Sequence, residues 1–455
     1  MAGATTATPG TRSPVPFSSW WMVAVLFLFY VVAWIDRLII SMLVGPIKAD
    51  LLLSDFQVSL IIGTAFALPI AIFGLPLGWA ADRFSRRWVI FLGVAVWSLA
   101  TVSCGFADSF TSLFFARAMV GVGEAALLPA AYSLMSDAFP RDRVTTATSI
   151  FQSSGKLGSA VAFGLGGVII AFAASLGAVN LPFRGETAPW HLVFILVGAP
   201  GLLLSLLAFS FPEPARKNTV ARTAGDKGGK NSQLLKQFVT GHWQLLALMI
   251  TSFCAIAICG YSLGSWIPTY IDRRFGWEPI QYGPALSVMN IVAAGALIVN
   301  GRIVDFLYGR GMKDVHLRFY SWLLLGLMPA FAYMFFAGNP WVFLLLYAAV
   351  QLATMPFMVY MAAVLALIAP STVRGQMMGV FLFFIQILGF GVGPAIVGFL
   401  TDNVFQDEAK LGLSLAAILI GGIVVAFLCL RMGLRYLRPA IERVEQAQAS
   451  ASTGS

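Results

Sequence analysis

Twelve stretches of this chain are long and apolar enough to cross a bilayer, and nothing else in the sequence limits the fold so severely. A membrane-spanning helix needs about 20 mostly apolar residues. In the first half such stretches lie at 18–45, 56–81, 87–107, 110–138, 144–175 and 190–211. In the second half they lie at 241–271, 279–307, 316–337, 340–369, 373–402 and 409–437. The 455 residues are 59% hydrophobic and only 11% charged, whereas a soluble domain carries roughly 25% charged residues. The expected fold is an all-α membrane protein of twelve transmembrane helices.

A charged turn occurs twice. Gly78 to Arg87 reads GWAADRFSRR, and its frame returns at Gly301 to Arg310 as GRIVDFLYGR. Gly78 aligns with Gly301, Asp82 with Asp305 and Arg87 with Arg310, while Phe306 stands where Arg83 does. The copies lie about half a chain apart, so one membrane unit is used twice. Gly78, a helical turn before Asp82, lets a neighbouring helix come close, as small residues do in membranes. Asp82 can accept hydrogen bonds at a helix end. Arg83, Arg86 and Arg87 are expected in water and anionic headgroups. A topology anchor of three arginines would explain one copy but needs no second.

The stretch 212–240 holds Arg216, Lys217, Arg222, Lys227, Lys230 and Lys236 with three glycines, the composition of a flexible basic linker. The expected units are a disordered tail 1–17, a six-helix bundle 18–211, the linker 212–240, a second six-helix bundle 241–438 and a tail 439–455. Pro140-Arg141-Asp142-Arg143 before the fifth stretch corresponds to Pro370 through Arg374 before the eleventh. Both stretches are rich in glycine, which brings backbones close and permits sliding or bending.

With the amino terminus inside, most Lys and Arg fall in inside segments, and the outside loops hold only Lys48, Arg184, Arg273, Arg274 and Lys410. That bias places both termini and the linker in the cytoplasm and suits a plasma (inner) membrane protein. The net charge of +9 does not indicate nucleic acid, because the basic residues are not interleaved with stacking aromatics. Cys104, Cys254, Cys259 and Cys429 lie in apolar runs and read as packing residues. His191, His242 and His316 fall at helix ends. No metal triad, phosphate loop or nucleophile elbow is present, so no metal or cofactor is expected.

Five charged residues fall within the spans: Asp36, Arg37, Arg117, Glu124 and Lys156. Each costs about 2.5–3.5 kcal/mol at mid-helix, so together they require a reason. All lie in the first half. Arg117 and Glu124 are two turns apart on one face, about 10.5 Å along the axis, too far for a direct bridge. Gly121 and Gly123 thin the helix between them. A carboxyl group in apolar surroundings resists ionisation, and a nearby guanidinium favours it. A group pulled both ways can titrate as a pocket opens or closes. A satisfied ion-pair network that only fixes helix packing is the blander explanation. Lys156 lies nearer the cytoplasmic side and could snorkel. In the second half the cavity candidates are Tyr270, Asn290, Gln351, Tyr360 and Gln386.

Gly78, Asp82, Arg83, Arg86 and Arg87 resemble the signature between helices 2 and 3 of the major facilitator superfamily of transporters. That resemblance implies two six-helix bundles related by pseudo-twofold symmetry, alternating access, and a monomer. It also implies a conformational latch made by Gly78, Asp82, Arg83, Arg86, Arg87, Asp305 and Arg310. Helix 1 packs near helix 4 in that superfamily, so Asp36 is expected to pair with Arg117, leaving Glu124 to be protonated. Asp36-Arg37 and Gly121-Val122-Gly123-Glu124-Ala125 resemble the spinster family within it, proton-linked carriers of lysophospholipids or sphingoid phosphates. By that resemblance Asp36, Glu124 and Arg117 serve proton coupling, and Arg37, Asn290, Gln351, Tyr360 and Gln386 line the substrate cavity. The implied partners are a small-molecule or lipid substrate and membrane lipids, and the driving force is a proton gradient. Symporters of sugar acids share the same two acidic positions and supply the alternative. A non-transporting receptor needs no access from both sides. A lipid-modifying enzyme needs a nucleophile–base pair, and no intramembrane His offers one.

Overall fold

The computed structural model describes residues 15–140, 142–181, 185–216 and 227–453. Arg12, Arg141, Lys217, Arg222 and Arg184 lie outside the described residues, as do most of the expected amino-terminal tail and the middle of the linker. Among the described residues the chain is a bundle of spanning helices. The first half holds α1 (Phe17–Met42), α2 (Asp55–Arg83), α3 (Arg86–Cys104), α4 (Phe110–Ala138), α5 (Val144–Ser175) and α6 (Pro189–Phe209). The second half holds α7 (Lys227–Phe275), α8 (Pro279–Gly309), α9, α10 (Pro340–Ile368), α11 (Val373–Phe405) and α12 (Leu411–Thr453). Helix α9 consists of Val315–Gly326 and Met328–Phe336, bent by 41°. Pro329 sits at the bend, where its ring displaces the carbonyl four residues back. The expected twelve spans and their order are present.

Two boundaries need correction. Residues 227–240, expected as part of a flexible linker, are helical. Their helix continues through a kink at His242 (φ −128°, ψ 18°) into α7. Residues 439–453, expected as a tail, continue α12 through Pro439. An unforeseen hairpin, β1 (Val179–Leu181) with β2 (Gly185–Thr187), joins α5 to α6.

Proline places the breaks that matter. Helix α4 is interrupted at Ala125–Ala126. Pro129 lies four residues past Ala125 and cannot donate to its carbonyl. Helix α10 is interrupted at Met355–Pro356, where the proline itself has no N–H for the Leu352 carbonyl. Glu124 is thus the last residue before one break, and Met355 lies in the other.

Glycine sets the packing distances. A Cβ on Gly121 would stand 2.5 Å from the Phe66 carbonyl of α2, and one on Gly123 would stand 2.6 Å from the Gly93 carbonyl of α3. The Gly-Val-Gly step therefore seats α4 on two neighbours at once. On α5, Gly158 backs onto Trp34 of α1, while Gly167 meets the Pro279 carbonyl of α8 and Gly283 of α8 meets the Phe163 carbonyl. Helix α5 so holds its own half with one segment and the other half with the next.

An ion cluster joins the halves at the face opposite the repeated turns. There Asp55 accepts from Arg273 through both carboxylate oxygens, at 2.7 and 2.8 Å, and pairs with Lys48. Lys48 and Arg273 also reach Glu408, at 2.8 and 3.1 Å. The Phe56 N–H donates to Asp402 of α11 at 2.6 Å. Deeper in, Thr64 donates to the Gly391 carbonyl at 2.9 Å. At this contact α2 and α11 both widen into π turns, Leu60–Thr64 and Ile385–Val392.

Candidate functional site

The site begins with two adjacent residues on α1. Asp36 and Arg37 differ by about 100° around a helix, so they meet different groups on the neighbouring helices. Arg37 turns to α4 and forms an ion pair with Glu124 through Nη2 and Oε2. Asp36 is 0% exposed, and neither carboxylate oxygen makes a hydrogen bond within 3.5 Å. Arg117, Glu124 and Thr101 surround it.

Arg117 does reach Asp36, but by the main chain. Its Nη1 donates to the Asp36 carbonyl at 3.0 Å. Helix α1 tightens into a 3-10 turn at Ile40–Met42, and the Ile40 N–H turns to Leu38. The Asp36 carbonyl thereby loses its usual donor, and Arg117 supplies one. The expected pairing of Asp36 with Arg117 side chain to side chain, with Glu124 left over, is corrected accordingly: Glu124 holds Arg37.

Aromatic rings position the guanidinium groups. Arg37 lies 4.9 Å from the Trp34 ring and 4.7 Å from the Phe66 ring, and Arg117 lies 5.6 Å from the Phe66 ring. Phe66 attracts both cations through its π face. It also packs against Phe390 of α11 at 5.2 Å, which meets Tyr261 of α7 at 5.1 Å. Tyr30 stacks on Phe151 and stands edge-on to Trp34. Tyr30 and Tyr261 are close enough to Arg37 to act on it electrostatically. The wall around Arg37 is therefore built from both halves. Tyr30, Trp34 and Arg37 follow helical spacing along one face of α1, a signal legible in the sequence. Phe390 lies between two glycines, another such signal.

The second-half candidates do not converge on Arg37. Asn290 donates to the Leu286 carbonyl of its own helix at 2.9 Å. Tyr360 donates to Asn300 at 2.7 Å, and Tyr270 to the Phe335 carbonyl at 3.1 Å. Gln351 is buried with both amide atoms unpartnered. Gln386 is half-buried.

The repeated turns also need one correction. Asp82, Arg83, Asp305 and Arg310 are exposed; Arg83 lies over Trp79 and Arg310 over Phe306. Arg86, expected in water, is 0% exposed. It pairs with Asp137 and with Glu213 at 3.1 Å, and donates to the Pro214 carbonyl at 2.6 Å. Arg87 donates to the Phe211 carbonyl at 3.1 Å. Two carboxylates and several carbonyls replace the water Arg86 gives up. These partners are distant in sequence, so the turn alone could not reveal them. Asp314 after α8 is held in the mirror manner, by Arg318 at 2.8 Å and by Arg438 of α12 at 2.6 Å.

Twelve spans in two halves, with buried charges where the halves meet, define a membrane transporter. The sequence profile of the Major Facilitator Superfamily matches residues 26–313. The chain belongs to that superfamily. It is 28% identical over 445 residues to an MFS-type efflux pump of Mycolicibacterium smegmatis, covering 94% of this chain and 95% of that one. It is 25% identical over 436 residues to a hexuronate transporter of Bacillus subtilis, covering 94% and 97%. Among solved structures it resembles a bacterial homolog of the human lysosomal transporter Spinster in an inward-facing, unoccupied conformation. The TM-score is 0.74 at 24% identity, covering 94% of this chain and 98% of that one.

Proposed function

We propose that this protein is a proton-coupled secondary active transporter of an organic anion, working by alternating access. The observation that carries the reading is the Arg37–Glu124 pair at the contact between halves. Arg37 can serve Glu124 or the acid group of a solute. Protonation of Glu124 releases the guanidinium, and loss of the proton reclaims it. Proton and anion then occupy the site together, which is the logic of coupling. Asp36, buried with no hydrogen bond to its carboxylate within 3.5 Å, is the second proton-coupling group, and Arg117 positions it. The hexuronate transporter among the relatives is named for an organic anion, which supports a sugar acid. The aromatic wall of Tyr30, Trp34, Phe66, Tyr261 and Phe390 favours a second reading, an anionic amphiphile of lysophospholipid or sphingolipid type. The bias of basic residues supports cytoplasmic termini.

The test is uptake into proteoliposomes under an imposed pH gradient, with D-glucuronate, lysophosphatidate and neutral D-glucose as probes. Wild-type protein should accumulate one of the anions in a gradient-dependent manner and ignore glucose. Glu124→Gln, fixed in a protonated-like form, should lose gradient-driven accumulation while retaining exchange. Undiminished accumulation by that variant would refute the coupling role.

A further inference from the structure

Lys156 is the odd charge of the buried set. Fully ionised, Asp36, Arg37, Arg117, Glu124 and Lys156 comprise two anions and three cations. Arg37 is held by Glu124, and Arg117 stands beside Asp36. Lys156 reaches across from α5 to the other half, where its Nζ touches the Met355 sulfur. A thioether is an uncharged, weak acceptor. Among the described residues Lys156 makes no ion pair, and no acidic group stands beside it. Snorkelling does not account for this. Lys156 lies twelve residues into α5, about 18 Å along its axis, and the side chain points to α10 instead of either membrane face.

A second observation lies on the same element. Gln351 precedes Met355 by four residues, so both project from one face of α10. It is 2% exposed, and its Nε2 and Oε1 both lack partners. Buried amides are ordinarily satisfied, so each exception asks for an explanation. An ammonium without a counter-ion and an amide without partners together lack an acceptor-rich anion bearing a neighbouring donor. A carboxylate next to a hydroxyl has that chemistry, and so does a phosphate monoester next to one.

We propose that Lys156 is an anion-binding residue of the translocation site. It shares the acid group of the solute with the Arg37 that protonated Glu124 releases, while Gln351 takes the adjacent hydroxyl, and Met355 is the partner it holds when no solute is bound. Solute binding would then undo a contact between α5 and α10, linking occupancy to the contact between halves. This inference rests on the organic-anion reading above and adds the residues that select for charge.

The same proteoliposomes test it. Lys156→Gln should raise the KM for the transported anion roughly tenfold to a hundredfold, the effect of losing one charged hydrogen bond, with glucose still ignored. Lys156→Arg should recover part of the loss. Met355→Leu, which leaves the ammonium in place but removes its thioether partner, should lower the KM. D-glucuronate and lysophosphatidate run in parallel decide whether a carboxylate or a phosphate is received. A folded Lys156→Gln variant with KM within twofold of wild type would overturn the proposal, even while Glu124→Gln still uncouples transport and the functional reading stands. If Lys156→Gln does not fold, an unchanged or raised KM in Met355→Leu overturns it. If wild-type protein takes up neither anion, both readings fall together.

Discussion

The Arg37–Glu124 pair turns on helix rotation, and rotation is what the sequence does not state. The presence of buried charge on α1 and α4 was legible, because charged residues in apolar spans are few and costly. Which neighbour each would meet was not. Asp36 and Arg37 are adjacent, and a rotation of one residue exchanges their surroundings. The close approach that lets α4 meet α1 and α2 was legible in Gly121 and Gly123, since small residues mark tight helix contacts. A methyl group at Gly121 would meet main chain, which cannot swing aside. We expect Gly121→Ala to cost about 1–3 kcal/mol as overpacking does, read as a lowered thermal midpoint in detergent. Gly301→Ala, where a Cβ meets nothing within 4 Å, should leave the midpoint in place.

The elements follow the hydropathy pattern closely, because a span must be apolar over its whole length and the loops are charged. Breaks were less legible. Pro129 and Pro356 interrupt α4 and α10, yet Pro69 and Pro76 lie inside a continuous segment of α2. A proline alone therefore does not predict a break; the neighbouring helices decide whether the freed carbonyl is served. The ion cluster around Asp55 was also hidden, since Lys48 and Asp55, before and at the start of α2, meet Arg273 at the end of α7 and Glu408 before α12, far away in the chain. Asp55→Asn would leave Lys48 and Arg273 with only the exposed Glu408 as counter-charge, and breaking a buried pair costs at most about 3–5 kcal/mol. The closed arrangement at that face should lose population. A cysteine replacing buried Ser59 should then react faster with a membrane-impermeant maleimide than in the Ser59→Cys background alone.

Across the whole molecule the duplication was legible in the two turns, whereas the fastening of each turn was not. Burial alone would push the Glu213 carboxyl up. Hydrogen bonds from Ser85, the Arg86 N–H and the Arg86 guanidinium outweigh it and hold it below its ordinary value. A depressed carboxyl contributes stability that is whole at neutral pH. That stability is lost as pH falls below the ordinary Glu value of about 4.3 towards the folded one. Glu213→Gln should therefore lower the midpoint at pH 7 and narrow the gap to wild type in acid.

The two fastenings have opposite polarity. A basic turn residue receives an acidic tether after α6, whereas an acidic turn residue receives a basic tether from α12. Were the chain to dock α12 on the first turn during biogenesis, Arg438 would confront Arg86, and like charges at close range repel. A protein built from two related halves must keep each half's end from closing the wrong one. The reversed sign gives it a way to reject that error.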